Sequence, residues 1–546
     1  MNITEDKIYK LLIILIVVCS FFSVFSDIME PDGALYATIA KTMLINGDWL
    51  NLYVNGTDWL DKPHLTFWLS ALSFKVFGIH AFAYKLPSFL VTLLGAGYLY
   101  GLSRHFYNQK TALTSVLIFL SALHLLISNF DVRAESYLCA FVVAAVYHYY
   151  SAQERSFWHI VAGSFFTACA IMVKGIFVVA PIFSGFVLYW ALTHQYHQFL
   201  KFKWWIAIVL IFIFIVPELY ALYIQFDLHP EKLVFGKTGV SGIRFFFWDS
   251  QFGRFMNNGP IKGKGDVSFF LHTNLWAFLP WSVLFYAAVC SLAAKKTRAK
   301  YPPESIILWS ASLVTFLMFS FSKFQLPHYI IILFPFFAMI TAVYLENLKP
   351  KPIVVFYFMQ TGLLILVSIL LIAITLLFGF RDQYLCIGLL IVLALFAFLW
   401  FGGRSVHTII GRSALLSLSL AVFLYLFFYP SLVGYQAGMQ AGKWLKANHP
   451  SAQVGVFMSD NAFSFSFYAN QTPVHFDNLV ELRNNTEKRS MIVYMPKYAL
   501  SMFPDVRQSD ILKTFDNYHI TKLKLKFLNK ETRASTFDQY CLVKIN

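Results

Sequence analysis

The feature that most constrains this chain is a succession of apolar stretches about 20 residues long, the length an α-helix needs to cross a bilayer core of roughly 30 Å. Read on that basis, the 546 residues offer spans near 8–26, 84–103, 111–128, 135–152, 157–173, 175–193, 204–227, 269–294, 305–321, 327–346, 352–378, 383–402 and 413–430. Short polar turns separate these thirteen stretches. The apolar run 65–78 is too short to span and reads as an interfacial helix. With 58% hydrophobic and only 13% charged residues, against about 25% charged in soluble domains, a water-soluble globule is excluded.

The chain carries 43 Lys and Arg against 28 Asp and Glu, a formal charge of +15. In so apolar a chain the excess is read as membrane orientation and not as nucleic-acid binding. If the N-terminus is cytoplasmic, the short inner loops collect Lys7, Lys10, Arg104, Lys110, Arg155, Lys201, Lys203, Lys295, Lys296, Arg298, Lys300, Lys349, Lys351, Arg404 and Arg412. The short outer loops then hold only Arg133, Lys174, Lys323 and Arg381, as the positive-inside rule requires. The first span runs into Ser26-Asp27-Ile28-Met29-Glu30 without a small-x-small cleavage site, so a retained anchor is expected. Everything long falls outside: segments 27–83 and 228–268, and the tail.

Composition changes near residue 436, dividing the chain into a membrane domain, 1–435, and a soluble domain, 436–546. Gln436 to Asn448 has helical spacing, Val454–Met458 and Met491–Met495 read as buried strands, and Lys522–Phe527 alternates like a half-exposed strand. A small outer α/β domain follows. Five of six cysteines lie in apolar runs and only Cys541 in the tail, so the tail has no internal disulfide.

A protein of this layout is a transporter, a channel or an enzyme of the outer leaflet. No pair of expected spans carries the Gly/Pro breaks or midplane charges of a transport site, and the ionisable groups gather at outer ends. Those groups mix carboxylates with cations, the inventory for deprotonating an acceptor and neutralising a phosphate leaving group. No Walker or Rossmann glycine pattern is present, so nucleotide does not drive the reaction at this chain.

The blocks holding these groups are Glu30-Pro31-Asp32 with Asn46-Gly47-Asp48-Trp49, then Asp58-Trp59-Leu60-Asp61-Lys62-Pro63-His64, ending in Leu65-x-x-Trp68. Asp32 could simply cap the helix that starts near Gly33, or serve as a general base at the membrane surface. Further blocks are Asn129-Phe130-Asp131-Val132-Arg133-Ala134-Glu135, Met172-Val173-Lys174-Gly175, Asp249-Ser250-Gln251-Phe252-Gly253-Arg254-Phe255, Leu279-Pro280-Trp281-Ser282, and Ser322-Lys323-Phe324-Gln325-Leu326-Pro327-His328-Tyr329. Each has a bland alternative: Glu135 beside a helix N-terminus, Lys174 snorkelling, the aromatics of 245–255 as an interfacial belt, Tyr329 as an anchor.

Together these blocks resemble the GT-C glycosyltransferases that use polyprenyl-phosphate sugars, most closely the bacterial aminoarabinose transferases of lipid A and more distantly the protein O-mannosyltransferases. The resemblance runs over the membrane domain and weakens in the tail. It implies a polytopic α-helical GT-C fold with about 13 transmembrane helices and a small C-terminal periplasmic α/β domain, in a bacterial inner membrane. It implies Asp32 as general base or acceptor-orienting carboxylate, with Glu135 at the acidic position that opens the fourth helix. Lys62, Lys174, Arg254, Lys323 and Tyr329 would hold the lipid phosphate, with Asp61, Asp131, Arg133 and Gln251 as further candidates. The donor would be an undecaprenyl-phosphate-linked sugar, the acceptor lipid A or another envelope component, the product inverted, and the lipid bilayer the surroundings.

The chain departs from the family pattern at three places. The arginine three residues after the catalytic aspartate is Leu35, the long-loop histidine is Gln251, and the glutamate before Lys-Pro is Asp61. That glutamate and histidine help hold a metal in some aminoarabinose transferases. No cofactor is therefore counted on here, and Asp61 alone is left as a ligand for a divalent metal. Alternatives are a protein O-mannosyltransferase-like enzyme or another envelope glycosyltransferase, and, from a different class, a lipid-linked-sugar flippase.

Overall fold

The structure is a computed structural model and describes residues 5–154, 156–292, 294, 301–459, 462–486 and 490–545. Arg155, Lys295, Lys296, Arg298 and Lys300, assigned to inner loops above, lie outside the described residues. Helix α1 (Glu5–Ser23) leads to α2 (Asp32–Asn46), which stops at Gly47 in the left-handed region. A two-residue hairpin, β1 (Tyr53–Val54) and β2 (Thr57–Asp58), precedes α3 (Leu65–Phe77), the expected interfacial helix. There follow α4 (Ala81–Phe106), α5 (Gln109–Ser121), α6 (Leu123–Asp131), α7 (Ala134–Ser151), α8 (Trp158–Lys174), α9 (Val179–Leu192) and α10 (Phe202–Leu222).

Among the described residues, six helices are long and apolar enough to cross a membrane: Ala81–Phe106, Phe202–Asp227, Pro327–Glu346, Pro350–Phe378, Gln383–Trp400 and Val406–Val433. Large apolar side chains such as Ile213, Leu366, Ile369, Val392 and Leu399 stand exposed on them, a surface suited to lipid and not to water. Other expected spans coincide with shorter helices, among them α8, α9 and Ser305–Phe321.

Two expected spans are broken. The stretch 111–128 bends by 56° at Ala122, between α5 and α6. The stretch 269–294 divides into Phe269–Ala277 and Ser282–Ser291 around Leu279-Pro280. This corrects the expectation of uninterrupted helices, and the physical reason is mutual satisfaction. The Leu123 amide donates to the Leu279 carbonyl at 3.0 Å, Trp281 Nε1 donates to Ser121 Oγ at 2.9 Å, and Gln360 Nε2 donates to the Pro280 carbonyl at 3.0 Å. One backbone pair thus joins the two breaks and a side chain of helix Pro350–Phe378 meets another freed carbonyl, which is how non-helical backbone is accommodated inside a protein.

The C-terminal region builds a five-stranded mixed sheet. Its strands are β3 (Val454–Phe457), β4 (Val474–Phe476), β5 (Met491–Pro496), β6 (Ile511–Asn517) and β7 (Asp538–Ile545), in the order β4-β3-β5-β7-β6. β3 runs parallel to β4 and β5, while β7 pairs antiparallel with β5 and β6, placing Val493 opposite Val543. Successive β7 residues point to opposite faces: Cys541 and Val543 pack with Phe457 and Met495, and Leu542 packs with Phe465 and Tyr494.

Lys522–Phe527 is not a strand. It turns into a short helix, Leu525–Leu528, because Phe527 stacks on Tyr518 at 3.7 Å and buries against Phe378 and Tyr435, while Tyr518 Oη bonds the backbone of Lys522 and Lys524. One anchored aromatic outweighs an alternating pattern. Next to it Arg533, 8% exposed, donates to the carbonyls of Phe527 (2.9 Å), Phe378 (2.6 Å) and Leu528 (3.2 Å) and to Tyr435 Oη (2.7 Å). The sheet region is thereby tied to the end of helix Pro350–Phe378. Arg533→Met strips these acceptors of a charged donor and is expected to lower stability by about 3 kcal/mol. Thermal unfolding in nanodiscs reads this, and an unchanged midpoint contradicts it.

Candidate active site

Asp32 is the first residue of α2, and Pro31 occupies the capping position without a side-chain bond to the helix. The capping alternative is therefore set aside, and the carboxylate is engaged elsewhere. Arg133 Nη1 meets Asp32 Oδ2 at 2.5 Å, while its Nε meets Asp131 Oδ2 at 2.6 Å. Arg133 reaches this position from a turn in which Val132 adopts φ +55°, a conformation β-branched residues rarely take. The guanidinium fork thus joins the first residue of α2 to the last of α6.

A second group lies around Lys62. Its amine contacts Asp61 Oδ2 at 2.6 Å, and Asp61 Oδ1 accepts a short hydrogen bond from Arg254. Arg254 closes the π-helical turn Phe245–Gly253 of the 228–268 segment and lies beside the Phe324 ring at 5.6 Å. A third group joins Glu135, in the first turn of α7, to Lys174 at the end of α8 through a short ion pair. Lys174 stands 3.9 Å over the Tyr329 ring, and His328 Nε2 lies 3.8 Å from Glu135.

Gly175 fixes this corner. Its φ of +108° is open to glycine and rarely to other residues, and a Cβ there would fall 2.2 Å from Gln251 Nε2. Gln251 fills that space and donates to the Lys174 carbonyl at 3.3 Å and to Ser250 Oγ at 2.7 Å.

The second and third groups share a cavity of about 540 Å³. Its walls are mostly apolar, including Ile176, Phe177, Phe245, Phe252, Phe255, Met318 and Phe319, with Asp61, Lys62, Lys174, Glu218, Gln251, Arg254 and Tyr329 among its polar lining. Lys323 does not line it: its side chain is exposed, and its backbone amide bonds the Phe255 carbonyl at 3.1 Å. Asp32, Asp131, Arg133 and Glu135 are also outside the lining. Lys62 and Tyr36, one turn beyond Asp32, border a smaller cleft that leads toward them.

The pairing differs between the two sides. Lys62, Lys174 and Arg254 face two carboxylates, Asp61 and Glu135, whereas Asp32 and Asp131 share one guanidinium. Three cations thus gather at the cavity end, where Glu218, paired with His64, also lines the wall, while at the Asp32 end the buried Lys85 stands over the Phe130 ring beside Asp131. Burial raises the Asp61 carboxyl, but the Lys62 and Arg254 charges outweigh it and hold it at about 2. Of the four carboxylates, Asp32 is the most open, with 36% of its side chain exposed against 19% for Asp61.

The residues do not fit a divalent metal. Both Asp61 oxygens are occupied by cations, and Gln251 turns its amide nitrogen toward the Lys174 carbonyl. Among the described residues no group of three or more His, Cys, Asp or Glu is placed to hold one.

Sequence reasoning missed the support beneath Lys62. His64 and Glu218 are fully buried: His64 Nδ1 lies 3.0 Å from Glu218 Oε1, and the His64 amide donates to Oε2 at 3.0 Å. His64 Nε2 contacts the Leu50 carbonyl at 2.9 Å. The available signal was Glu218 itself, the only charge between Lys203 and Asp227 in an apolar run.

Comparison with known proteins bears on this arrangement. The family described as dolichyl-phosphate-mannose-protein mannosyltransferase matches residues 61–220. An uncharacterised protein of Aquifex aeolicus is 24% identical over 559 residues, covering 98% of this chain and 100% of that one. The undecaprenyl phosphate-alpha-4-amino-4-deoxy-L-arabinose arabinosyl transferase of Shewanella sediminis is 26% identical over 315 residues, 56% of this chain and 53% of that enzyme, so the chain matches about half of its length. ArnT from Cupriavidus metallidurans, solved with bound undecaprenyl phosphate, is similar in fold, with a TM-score of 0.72 at 17% identity over 98% of both chains. The chain shares that fold along nearly its whole length, and its likeness to the GT-C glycosyltransferases holds in sequence as well.

The depressed Asp61 gives a signed pH dependence. A carboxyl lowered from 3.8 to about 2 contributes stability that is full above pH 3.8 and disappears as pH falls through 2. The thermal midpoint of the wild type is expected to exceed that of Asp61→Asn by a constant margin from pH 7 to about 4, then by less. A margin that shrinks between pH 7 and 5 contradicts the pairing.

Proposed function

We propose that this GT-C glycosyltransferase takes a sugar from an undecaprenyl phosphate carrier and delivers it to an outer-leaflet acceptor, most specifically aminoarabinose to a lipid A phosphate. The observation that carries this reading is the cavity with aromatic walls and a cationic end at Lys62, Lys174 and Arg254. A lipid that ends in a phosphate matches both halves: its chain lies along apolar walls, and its phosphate meets the three cations.

In the reaction, an acceptor oxygen attacks the anomeric carbon from the side opposite the lipid phosphate. The new carbon–oxygen bond forms as the bond to the phosphate breaks, and the configuration inverts. Asp32 receives the proton of a hydroxyl acceptor, or orients an acceptor phosphate that is already ionised. Lys62, Lys174 and Arg254, with Tyr329, take up the charge on the departing undecaprenyl phosphate. The phosphate leaves readily, so positioning and charge neutralisation supply most of the acceleration.

The reading is completed by a topology of thirteen spans in a bacterial inner membrane with a cytoplasmic N-terminus. A membrane domain, 1–435, would carry the active site in outer segments 27–83 and 228–268, and a periplasmic α/β domain would comprise 436–546. Support comes from the positive-inside bias of the short loops and from the fold likeness to a transferase solved with undecaprenyl phosphate. The match of residues 61–220 to the protein mannosyltransferase family favours a second reading, a mannosyl or other sugar transfer to a peptide hydroxyl.

Membranes holding the wild type or Asp32→Asn, supplied with undecaprenyl-phosphate aminoarabinose and lipid A, separate these outcomes by mass spectrometry. The wild type is expected to add one pentosamine per phosphate, and Asp32→Asn to fall on the order of 10²-fold, as for a lost orienting contact on an ionised acceptor. Equal product from both overturns the role of Asp32. Failure to modify lipid A, with transfer to peptide, redirects the acceptor.

A further inference from the structure

Helix α2 is held from the far end of the sequence. Lys41, 4% exposed, directs its amine onto the carbonyls of Ser466 (2.8 Å), Phe467 (2.9 Å) and Ala469 (2.7 Å), at the C-terminal end of helix Phe463–Tyr468. All three ammonium protons are used on carbonyls that a helix end leaves without internal partners, where the helix dipole is negative. Three residues earlier in α2, Thr38 Oγ1 donates to the Phe463 carbonyl at 2.9 Å.

The approach to Asp32 is held by the same region. Glu30 accepts from the Ser464 amide at 3.1 Å and, in a short bond, from Ser464 Oγ. Gln436 accepts from the Glu30 amide at 2.6 Å and donates to the Ile28 carbonyl at 3.0 Å. Tyr468 Oη accepts from the Ile28 amide and donates to Asp27, both at 2.9 Å. The fit is close: a Cβ on Gly438 would fall 2.6 Å from Ser464 Oγ and 3.3 Å from Glu30. Residues 27–41 are thus gripped on both sides of Asp32 by residues more than 400 positions away in the chain.

We infer that the C-terminal α/β region serves as the positioning element for Asp32, with Lys41 and Glu30 as the positioning residues through which segment 463–469 sets the carboxylate relative to the donor phosphate. The inference rests on Asp32 as the catalytic carboxylate. The donor cations stand on other elements, in the α2–α3 loop, at the end of α8 and in the 228–268 segment, so loosening α2 moves the carboxylate and leaves the donor site in place. A shift of about 1 Å between reacting groups lowers rate on the order of 10²-fold, so a mobile α2 is felt in turnover.

The test uses the full-length protein in nanodiscs, with undecaprenyl-phosphate aminoarabinose as donor and lipid A as acceptor. Lys41→Met is expected to lower kcat about 10–100-fold with donor KM unchanged. Ser464→Ala, which deletes one hydroxyl and keeps the backbone contact to Glu30, is expected to lower kcat in the same direction and less. Neither substitution is expected to add a loss when placed on Asp32→Asn. Wild-type kcat in both variants overturns the inference, as does a rise in donor KM alone or an equal further loss in the Asp32→Asn background. If Lys41→Met fails to fold, Ser464→Ala decides by the same criteria. Should Asp32→Asn itself turn over like the wild type, the catalytic reading falls first; impaired Asp32→Asn beside unimpaired Lys41→Met and Ser464→Ala removes only the positioning role.

Discussion

The arrangement depends on one electrostatic constraint: a cation withdrawn from water must be met by carboxylates or by carbonyl oxygens, as Lys41 and Arg533 are by carbonyls. Every cation of the site obeys it, Arg133 with Asp32 and Asp131, Lys62 and Arg254 with Asp61, Lys174 with Glu135. The pairing is not one to one: Lys62, Lys174 and Arg254 share Asp61 and Glu135. On the proposed reading, a phosphate entering the cavity meets these three cations, with two carboxylates sharing them. On the other side Asp32 holds the most open position of the four carboxylates. On the same reading the cations are oriented before the donor binds, as electrostatic preorganisation requires.

The scaffold that holds these groups is bound by the matching rule for the backbone. Helices broken at Ala122 and at Leu279-Pro280 tolerate their breaks because the Leu123 amide meets the Leu279 carbonyl and Gln360 meets the Pro280 carbonyl. The buried His64–Glu218 pair works likewise: it fixes the residue two positions beyond Lys62 to a membrane helix, and so holds the Lys62 loop over the cavity. Removing one member of such a pair would leave a buried polar group without its partner, which is why these contacts act as fixed points.

Much of this was legible from the residues. Apolar length located most helices, a lone charge in an apolar run singled out Lys174, and the family-like block between two spans singled out Glu135. What the sequence could not convey was partnership. Nothing local in Asp32 says that it pairs with Arg133 and not with its own helix, and nothing in Ser322-Lys323 says that the side chain faces away from the cavity while Tyr329 faces in. In the tail, Lys522–Phe527 alternated like a strand, but Phe527 was claimed by Tyr518, Phe378 and Tyr435. The strand β7 carries buried residues on both faces at Cys541–Val543, so it lacks the alternation that exposes a half-buried strand. Tertiary contacts decided each of these, and periodicity does not encode them.

The central claim, that the cations at the end of the apolar cavity hold a lipid phosphate, is tested most directly by equilibrium binding in nanodiscs. Undecaprenyl phosphate and undecaprenol would be titrated against the wild type, Arg254→Gln and Lys174→Met. Loss of one charge-assisted contact, worth about 1.5–3 kcal/mol, predicts at least a tenfold weaker affinity of each variant for undecaprenyl phosphate and an unchanged affinity for undecaprenol. Equal affinity of all three proteins for the phosphate, or the same loss for both lipids, would contradict the account.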